Sequence, residues 1–182
     1  MNRVSEIKWE CVRGLGYSFG YNRNEGPEHT LSVEKLVKLL ADVVSKNGNL
    51  LIGVTPMADG TIPSHQVRVL RGLGAWLRVN GEAIYSTLPW ETHGSVAGEG
   101  IPVRFTRSRD GGRLYAIVLE RPAGPTVIRG LSPAPGTSVE LLGYGSVEWR
   151  ATANGLEVVF PRDLPPSPAY VLRIEPVPRR LG

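Results

Sequence analysis

The sequence predicts an α/β segment followed by an all-β segment: the C-terminal remnant of a (β/α)8-type barrel and then an antiparallel β-sandwich. Three observations carry this. Two stretches in the first ninety residues have apolar residues at helical spacing, with a short, continuously apolar strand between them. After about residue 100 only short alternating runs occur, separated by Gly and Pro. The first segment has too few strands to close a barrel, so its helices and strands would leave apolar faces uncovered.

Residues 31–46 place Leu31, Leu36, Val37, Leu39, Leu40, Val43 and Val44 on a wide apolar stripe, which predicts a helix. Thr30 or Ser32 can cap its start, and Asn47-Gly48 can end it through a left-handed turn. Residues 49–54, NLLIGV, have the length and composition of a buried parallel strand. A loop with an Asp59-Gly60 turn leads to a second helix over 64–79, whose apolar face includes Val69, Leu73, Trp76 and Leu77 and which Asn80-Gly81 ends. Helix, strand, loop, helix is the order of an α/β layer.

Beyond this, strands are predicted over 101–107, 113–120, 125–129, 137–142, 146–151, 155–160 and 169–175. Val103 and Phe105 alternate with Arg104 and Thr106, as do Leu156, Val158 and Phe160 with Glu157 and Val159. Seven short strands at this spacing predict a sandwich. GSVAGEG over 94–100 reads as a linker, which divides the chain into 1–93, the barrel part, and 94–182, the sandwich.

Composition narrows the function classes. The net charge of +4 is spread along the chain, with no dense basic block interleaved with aromatics, so a solvated surface is expected and no nucleic-acid partner. One cysteine, Cys11, rules out an internal disulfide framework, and three scattered histidines, His29, His65 and His93, argue against a structural zinc site. No cofactor or metal is expected. No apolar run reaches membrane-span length, and MNRVSEIKWE has no apolar signal core, so the expectation is a soluble chain with no membrane partner; its compartment is open.

Three runs resemble the family 29 glycoside hydrolases, the α-L-fucosidases. The first is Lys8-Trp9-Glu10-Cys11 with Ser18-Phe19-Gly20-Tyr21-Asn22. The second is Val44-Ser45-Lys46-Asn47-Gly48-Asn49-Leu50-Leu51, continuing through Pro56-Met57-Ala58-Asp59-Gly60-Thr61-Ile62-Pro63. The third is Trp76-Leu77 with Val79-Asn80-Gly81-Glu82-Ala83-Ile84-Tyr85 and Pro89-Trp90. The likeness is close over residues 8–90 and holds only in kind for the β-rich remainder. It departs at Ile52-Gly53-Val54-Thr55-Pro56, where the family usually has Leu-Asn-Ile/Val-Gly-Pro, at a strand end facing the barrel mouth.

The resemblance implies a retaining hydrolase of terminal α-L-fucosides, with a fucosylated glycan as substrate. Such chemistry uses two carboxylates about 5–5.5 Å apart, one a nucleophile and the other a general acid and then base. By resemblance Glu10 is the general acid/base, although some relatives use a different acidic residue upstream. The nucleophilic Asp belongs to the part of the family that precedes Lys8-Trp9-Glu10 and is missing from this chain. A companion chain with the N-terminal barrel half is therefore expected, and inactivity of this chain alone. Self-association is expected too, because the helices lack barrel neighbours. An acid that holds its proton near neutral pH needs apolar surroundings, which Trp9, Val12, Tyr17, Phe19 and Tyr21 could supply.

Weaker substrate-binding candidates are Trp9, Tyr21 and Asp59. On an extended segment Trp9 faces away from Glu10, so packing outranks sugar stacking. Tyr17, Phe19 and Tyr21 alternate as on one strand face, which favours core packing, and Asp59 reads first as an Asp-Gly turn. Trp76 and Trp90 read as core or domain-interface residues, and Trp149 as buried by default, although an exposed Trp on a sandwich could stack on sugars. The alternative function is a non-catalytic accessory or carbohydrate-binding fragment.

Overall fold

The computed structural model describes residues 3–181. It is mostly β, with two helices. The elements are β1 (Trp9–Gly14), α1 (Val33–Ser45), β2 (Gly48–Gly53), α2 (Ser64–Asn80), β3 (Thr87–Ala97), β4 (Ile101–Ser108), β5 (Leu114–Val118), β6 (Pro125–Arg129), β7 (Leu131–Ser132), β8 (Ser138–Leu141), β9 (Gly145–Ser146), β10 (Trp149–Thr152), β11 (Gly155–Val159), β12 (Tyr170–Glu175) and β13 (Arg179–Arg180).

They stack in three layers. The first is a parallel pair, β1 and β2, with Glu10 opposite Asn49 and Val12 opposite Leu51. The second is α1 with α2. The third is a nine-stranded antiparallel sheet in the order β10-β11-β6-β3-β4-β5-β12-β8-β9. This sheet curls on itself. Phe105, Leu114 and Val118 of its centre meet Ile128, Leu156 and Val158 of one wing and Val139, Leu141 and Leu172 of the other in a single apolar core. Trp90 stands edge-on to Phe105 there, with ring centroids 5.1 Å apart. The sandwich expected from the sequence is thus one continuous sheet folded over, with β7 and β13 pairing separately.

The helices are covered on both sides. Leu36 and Val69 join Leu15 beneath the parallel pair, with Leu50 and Ile52 packed against them. Val37, Ala41 and Trp76 join Tyr115, Ile117 and Val171 on the outer face of the curled sheet. The Trp76 indole Nε1 donates to Ala169 O at 3.0 Å. Ser32 caps α1 by accepting from Lys35 N, and Asn47 takes the left-handed conformation (φ 69°) that turns the chain into β2. Gly48 is required: a Cβ there would lie 2.7 Å from the Trp9 ring and 2.8 Å from Val43.

Two expectations need correction. Gly94 to Ala97, read as linker, are the second half of β3, which pairs with β4 from Thr87 onward through a register shift between Pro89 and Gly94. The strand read over 146–151 divides into β9 and β10, because Val147 N donates to Val139 O and carries the chain to the other wing.

A charge cluster clamps α1 to the curled sheet. Asp42 accepts from Lys46 Nζ at 2.6 and 2.7 Å and from Arg104 Nε at 2.7 Å. Burial raises the Asp42 pKa, but the Lys46 and Arg104 hydrogen bonds and charges outweigh it and hold the carboxyl below its ordinary value. His93 lies in the same field. Its own burial lowers its pKa, and the Lys46 and Arg104 charges push the same way against Asp42.

Because the folded-state pKa of Asp42 is depressed, its contribution is complete above the ordinary carboxylate value of about 3.9 and is lost as pH falls through the lower folded value. Asp42→Asn should cost about 2 kcal/mol at pH 7 by leaving the buried Lys46 ammonium without its partner. In urea unfolding, the gap between wild type and variant should close below about pH 4.

Candidate functional site

β1 and β2 run parallel, so the loops that follow their C-terminal ends lie at one end of the layer. After β1, residues 15–26 form an irregular loop organised by Glu25. Its carboxylate accepts from the Ser18 hydroxyl, from Tyr17 N at 3.1 Å and from Asn22 Nδ2 at 3.4 Å. The Ser18 bond comes first among the causes that hold the Glu25 pKa below its ordinary value. This knot turns Tyr17 and Phe19 outward, at 76% and 67% exposure. Tyr17 meets His29 edge-on at 5.5 Å, while His29 Nδ1 accepts from Gly26 N at 3.1 Å. Phe19 leans over the end of β2, where a Cβ on Gly53 would stand 3.8 Å from its ring.

The loop after β2 is fixed differently. Thr55 N donates to Gln66 Oε1 at 3.1 Å, and Gln66 Nε2 donates back to Thr55 Oγ1 at 2.8 Å, both residues being buried. The departure at Thr55 is thus locked to the first turn of α2. Further along, Asp59 accepts from Thr61 N at 3.0 Å and Thr61 Oγ1 at 2.8 Å, and these bonds lower its pKa.

The predicted residues fall as follows. Glu10 is exposed and faces away from the helices, on the same side as Val12, Asn49 and Leu51. It is the second residue of β1, about 13 Å of extended chain before Gly14, hence at the opposite end from the two loops. The aromatics expected to bury it do not: Tyr17, Phe19 and Tyr21 stand out from an irregular loop, not on a strand face. Trp9 points to the helix side, donating from Nε1 to Lys46 O at 2.9 Å and packing on Gly48. Tyr21 is half in solvent, and Asp59 is exposed with its carboxylate engaged by Thr61. Glu10 is therefore not brought together with Asp59. Glu25 escaped sequence reading; its only signal was an acid closing the run Ser18 to Gly26.

Comparison with known proteins supplies the context. Residues 1–82 match the family model described as Alpha-L-fucosidase, and residues 100–175 match that of the Alpha-L-fucosidase C-terminal domain. The α-L-fucosidase of Branchiostoma floridae is 36% identical over 182 residues, which cover 96% of this chain and 40% of that protein. Human plasma α-L-fucosidase is 38% identical over 160 residues, covering 85% of this chain and 34% of that protein. Among solved structures, Thermotoga maritima α-fucosidase in complex with a mechanism-based inhibitor superposes with a TM-score of 0.86 at 44% identity, over 94% of this chain and 40% of that one. α-L-Fucosidase isoenzyme 1 of Paenibacillus thiaminolyticus gives 0.77 at 29% identity, over 93% of this chain and 40% of that one.

These matches put the chain among glycosidase-related proteins that join an α/β layer to a β-rich C-terminal domain. The chain belongs to the α-L-fucosidase family, and it spans about two fifths of the length of the relatives it matches.

Gln66→Leu should lower stability by about 2 kcal/mol, since it leaves the buried Thr55 N–H and hydroxyl without partners. A fall in the urea midpoint at unchanged slope would register this.

Proposed function

We propose that this chain is the C-terminal part of a retaining α-L-fucosidase that hydrolyses terminal α-L-fucosides of glycans. In this reading β1, α1, β2 and α2 are the end of a (β/α)8-type barrel, and the division lies near residue 93, with β3 straddling it as the first strand of the C-terminal sheet. The observation that carries the proposal is the bare face of the parallel pair. Val12 and Leu51, opposite one another, are half exposed. Among the described residues, both strands also have a free outer edge. Two strands cannot close a barrel, and a face that exposes Val12 and Leu51 between open edges is what further strands would cover. The remaining strands and the nucleophilic Asp would come from polypeptide outside these 182 residues, whether continuous with them or, as the sequence reading expects, a companion chain.

Glu10 is the acid/base of this reading on its family match. It faces what would be the barrel lumen, yet it lies at the strand end remote from the loops where barrel enzymes do their chemistry. That position favours a second reading, in which the companion supplies both carboxylates and this chain supplies the scaffold and the loops carrying Tyr17, Phe19 and Tyr21. A non-catalytic accessory or carbohydrate-binding role is the remaining alternative; tight calorimetric binding of fucose without any turnover would favour it.

Alone, the chain should not turn over an aryl α-L-fucoside, and light scattering should show it self-associated. Turnover should appear when the companion is added. Glu10→Gln should then cut kcat by roughly two to four orders of magnitude if Glu10 is the acid/base. Activity within a fewfold of wild type assigns the acid to the companion, and no turnover from two folded pieces defeats the enzymatic reading.

A further inference from the structure

Between β13 and the irregular middle of β3, the rim of the curled sheet opens into a pocket of about 240 Å³. Arg180 and Leu181 line one bank, and Thr92, Gly94 and Ser95 line the other. The floor is the edge-on pair Trp90 and Phe105. Both banks are tied to the end of β6. Ser95 Oγ donates to Arg129 O at 2.8 Å, and Leu181 N donates to Gly130 O at 3.0 Å. Thr92 Oγ1 donates to Gly94 O at 3.2 Å and braces the bulged strand. The walls are therefore set before any ligand arrives, around a volume that suits one small group rather than a drug-sized molecule.

Two arginines line this pocket, Arg129 and Arg180, and no acid does. Glu91, the acid nearest in sequence to the lining, is exposed and lines the neighbouring pocket with Arg107. Strand register explains why these two arginines are left over. Arg150 stands opposite Glu157 and Arg173 opposite Glu140, and each couple forms an ion pair. Arg180 stands opposite Leu131 and Arg129 opposite Gly155, so neither has a carboxylate across the ladder. Both are exposed, and neither makes an ion pair or side-chain hydrogen bond among the described residues. Directly opposed residues of an antiparallel pair share a face, and Leu131 is fully buried in the core of the sheet. Arg180 therefore leaves β13 on the core side, towards Trp90 and Phe105, where packing alone would call for an apolar residue. Arg129 is shared with a further pocket beside Asn154 and stands second to Arg180.

We infer that this pocket binds a sulfate or phosphate ester group of a compact ligand, with Arg180 as its main donor and Arg129 beside it. A guanidinium without a carboxylate partner presents forked donors that match a tetrahedral oxyanion, and the apolar floor lowers the local dielectric around that bond. The inference stands independently of the fucosidase reading, since neither the parallel pair nor its loops contribute to the pocket.

Calorimetric titration of the chain with glucose 6-sulfate and with glucose 6-phosphate should show saturable one-to-one binding that weakens as sodium chloride is added. The tighter of the two identifies which ester the pocket serves, and unsubstituted glucose should not bind. R180Q, at an exposed position, should weaken binding by about tenfold with an unaltered circular dichroism spectrum, and R129Q/R180Q should weaken it further. R109Q removes the same charge from the exposed turn after β4, outside the pocket, and should leave the affinity as it was. Failure of both esters to bind would overturn the inference, as would equal binding of glucose. An affinity that R180Q leaves unchanged, or that R109Q lowers as much as R180Q does, would overturn it too, because the anion would then be answering to net charge and not to this pocket.

Discussion

The two helices must cover two sheets at once, and most of the structure follows from that constraint. α1 sends Leu36 to the parallel pair and Val37 and Ala41 to the curled sheet, so its apolar stripe is wider than contact with one layer requires. The helix layer is thereby the common core of both sheets, and no flexible hinge lies between them. The chain leaves α2 through a single 3-10 turn, Gly81–Ala83, and enters β3 four residues later. Thr106 Oγ1 donating to Ala83 O at 2.6 Å and the Trp76 bond to Ala169 tie that turn and α2 to strands far along the sequence. The Asp42, Lys46 and Arg104 cluster does the same for α1. Its charges lose hydration on burial and recover it only through each other, so it fixes the docking geometry more than it adds net stability.

The contrast between the two sheets is physical. The curled sheet buries its inner face against itself and part of its outer face against helices. The parallel pair buries one face only and leaves Val12, Leu51, Tyr17 and Phe19 in solvent. Parallel strands occur almost always with both faces covered, so an isolated parallel pair is the least self-sufficient element of the fold. On its exposed face Val12 and Leu51 lie opposite one another beside Glu10 and Asn49, with no strand to cover them among the described residues, whereas the outer positions Arg150 and Glu157 of β10 and β11 pair with each other across the sheet.

Much of this was legible in the sequence. Both helices and β2 follow from 3.6-residue periodicity and an apolar run, and they lie within two residues of their expected bounds. The C-terminal strands follow from two-residue alternation. β3 was not legible, because Pro89, Gly94 and a register shift break its alternation and only the neighbours β4 and β6 make it a strand. Tyr17, Phe19 and Tyr21 misled for the opposite reason. They alternate like a strand, but Gly16 precedes them and Gly20 interrupts them, and the carboxylate of Glu25 draws the Tyr17 amide and the Ser18 hydroxyl into a loop. No local pattern announces a side chain that recruits backbone from eight residues away. The pocket over Trp90 was equally hidden, since its walls come from separated segments.

The site question turns on the difference between a face and an end. Residue parity places Glu10 on the face of the parallel pair turned away from the helices, and that much was readable from Trp9 packing behind it. Parity says nothing about height along the strand, which depends on where pairing with β2 begins. Pairing begins at Trp9 opposite Gly48, so Glu10 sits at the entry of β1 and the Glu25 loop at its exit. If the proposed barrel holds, a carboxylate at the entry could reach chemistry at the exit only if substrate descended along the strands past Val12. At the exit, Phe19 over Gly53 and the Thr55–Gln66 lock carry no proton for transfer near neutral pH, and the carboxylates of Glu25 and Asp59 are engaged by Ser18, Tyr17 N and Thr61. Under the fucosidase reading proposed above, this chain would offer the floor and rim of a pocket, and its acid would be either Glu10 or a carboxylate on strands that pair with the open edges of β1 and β2.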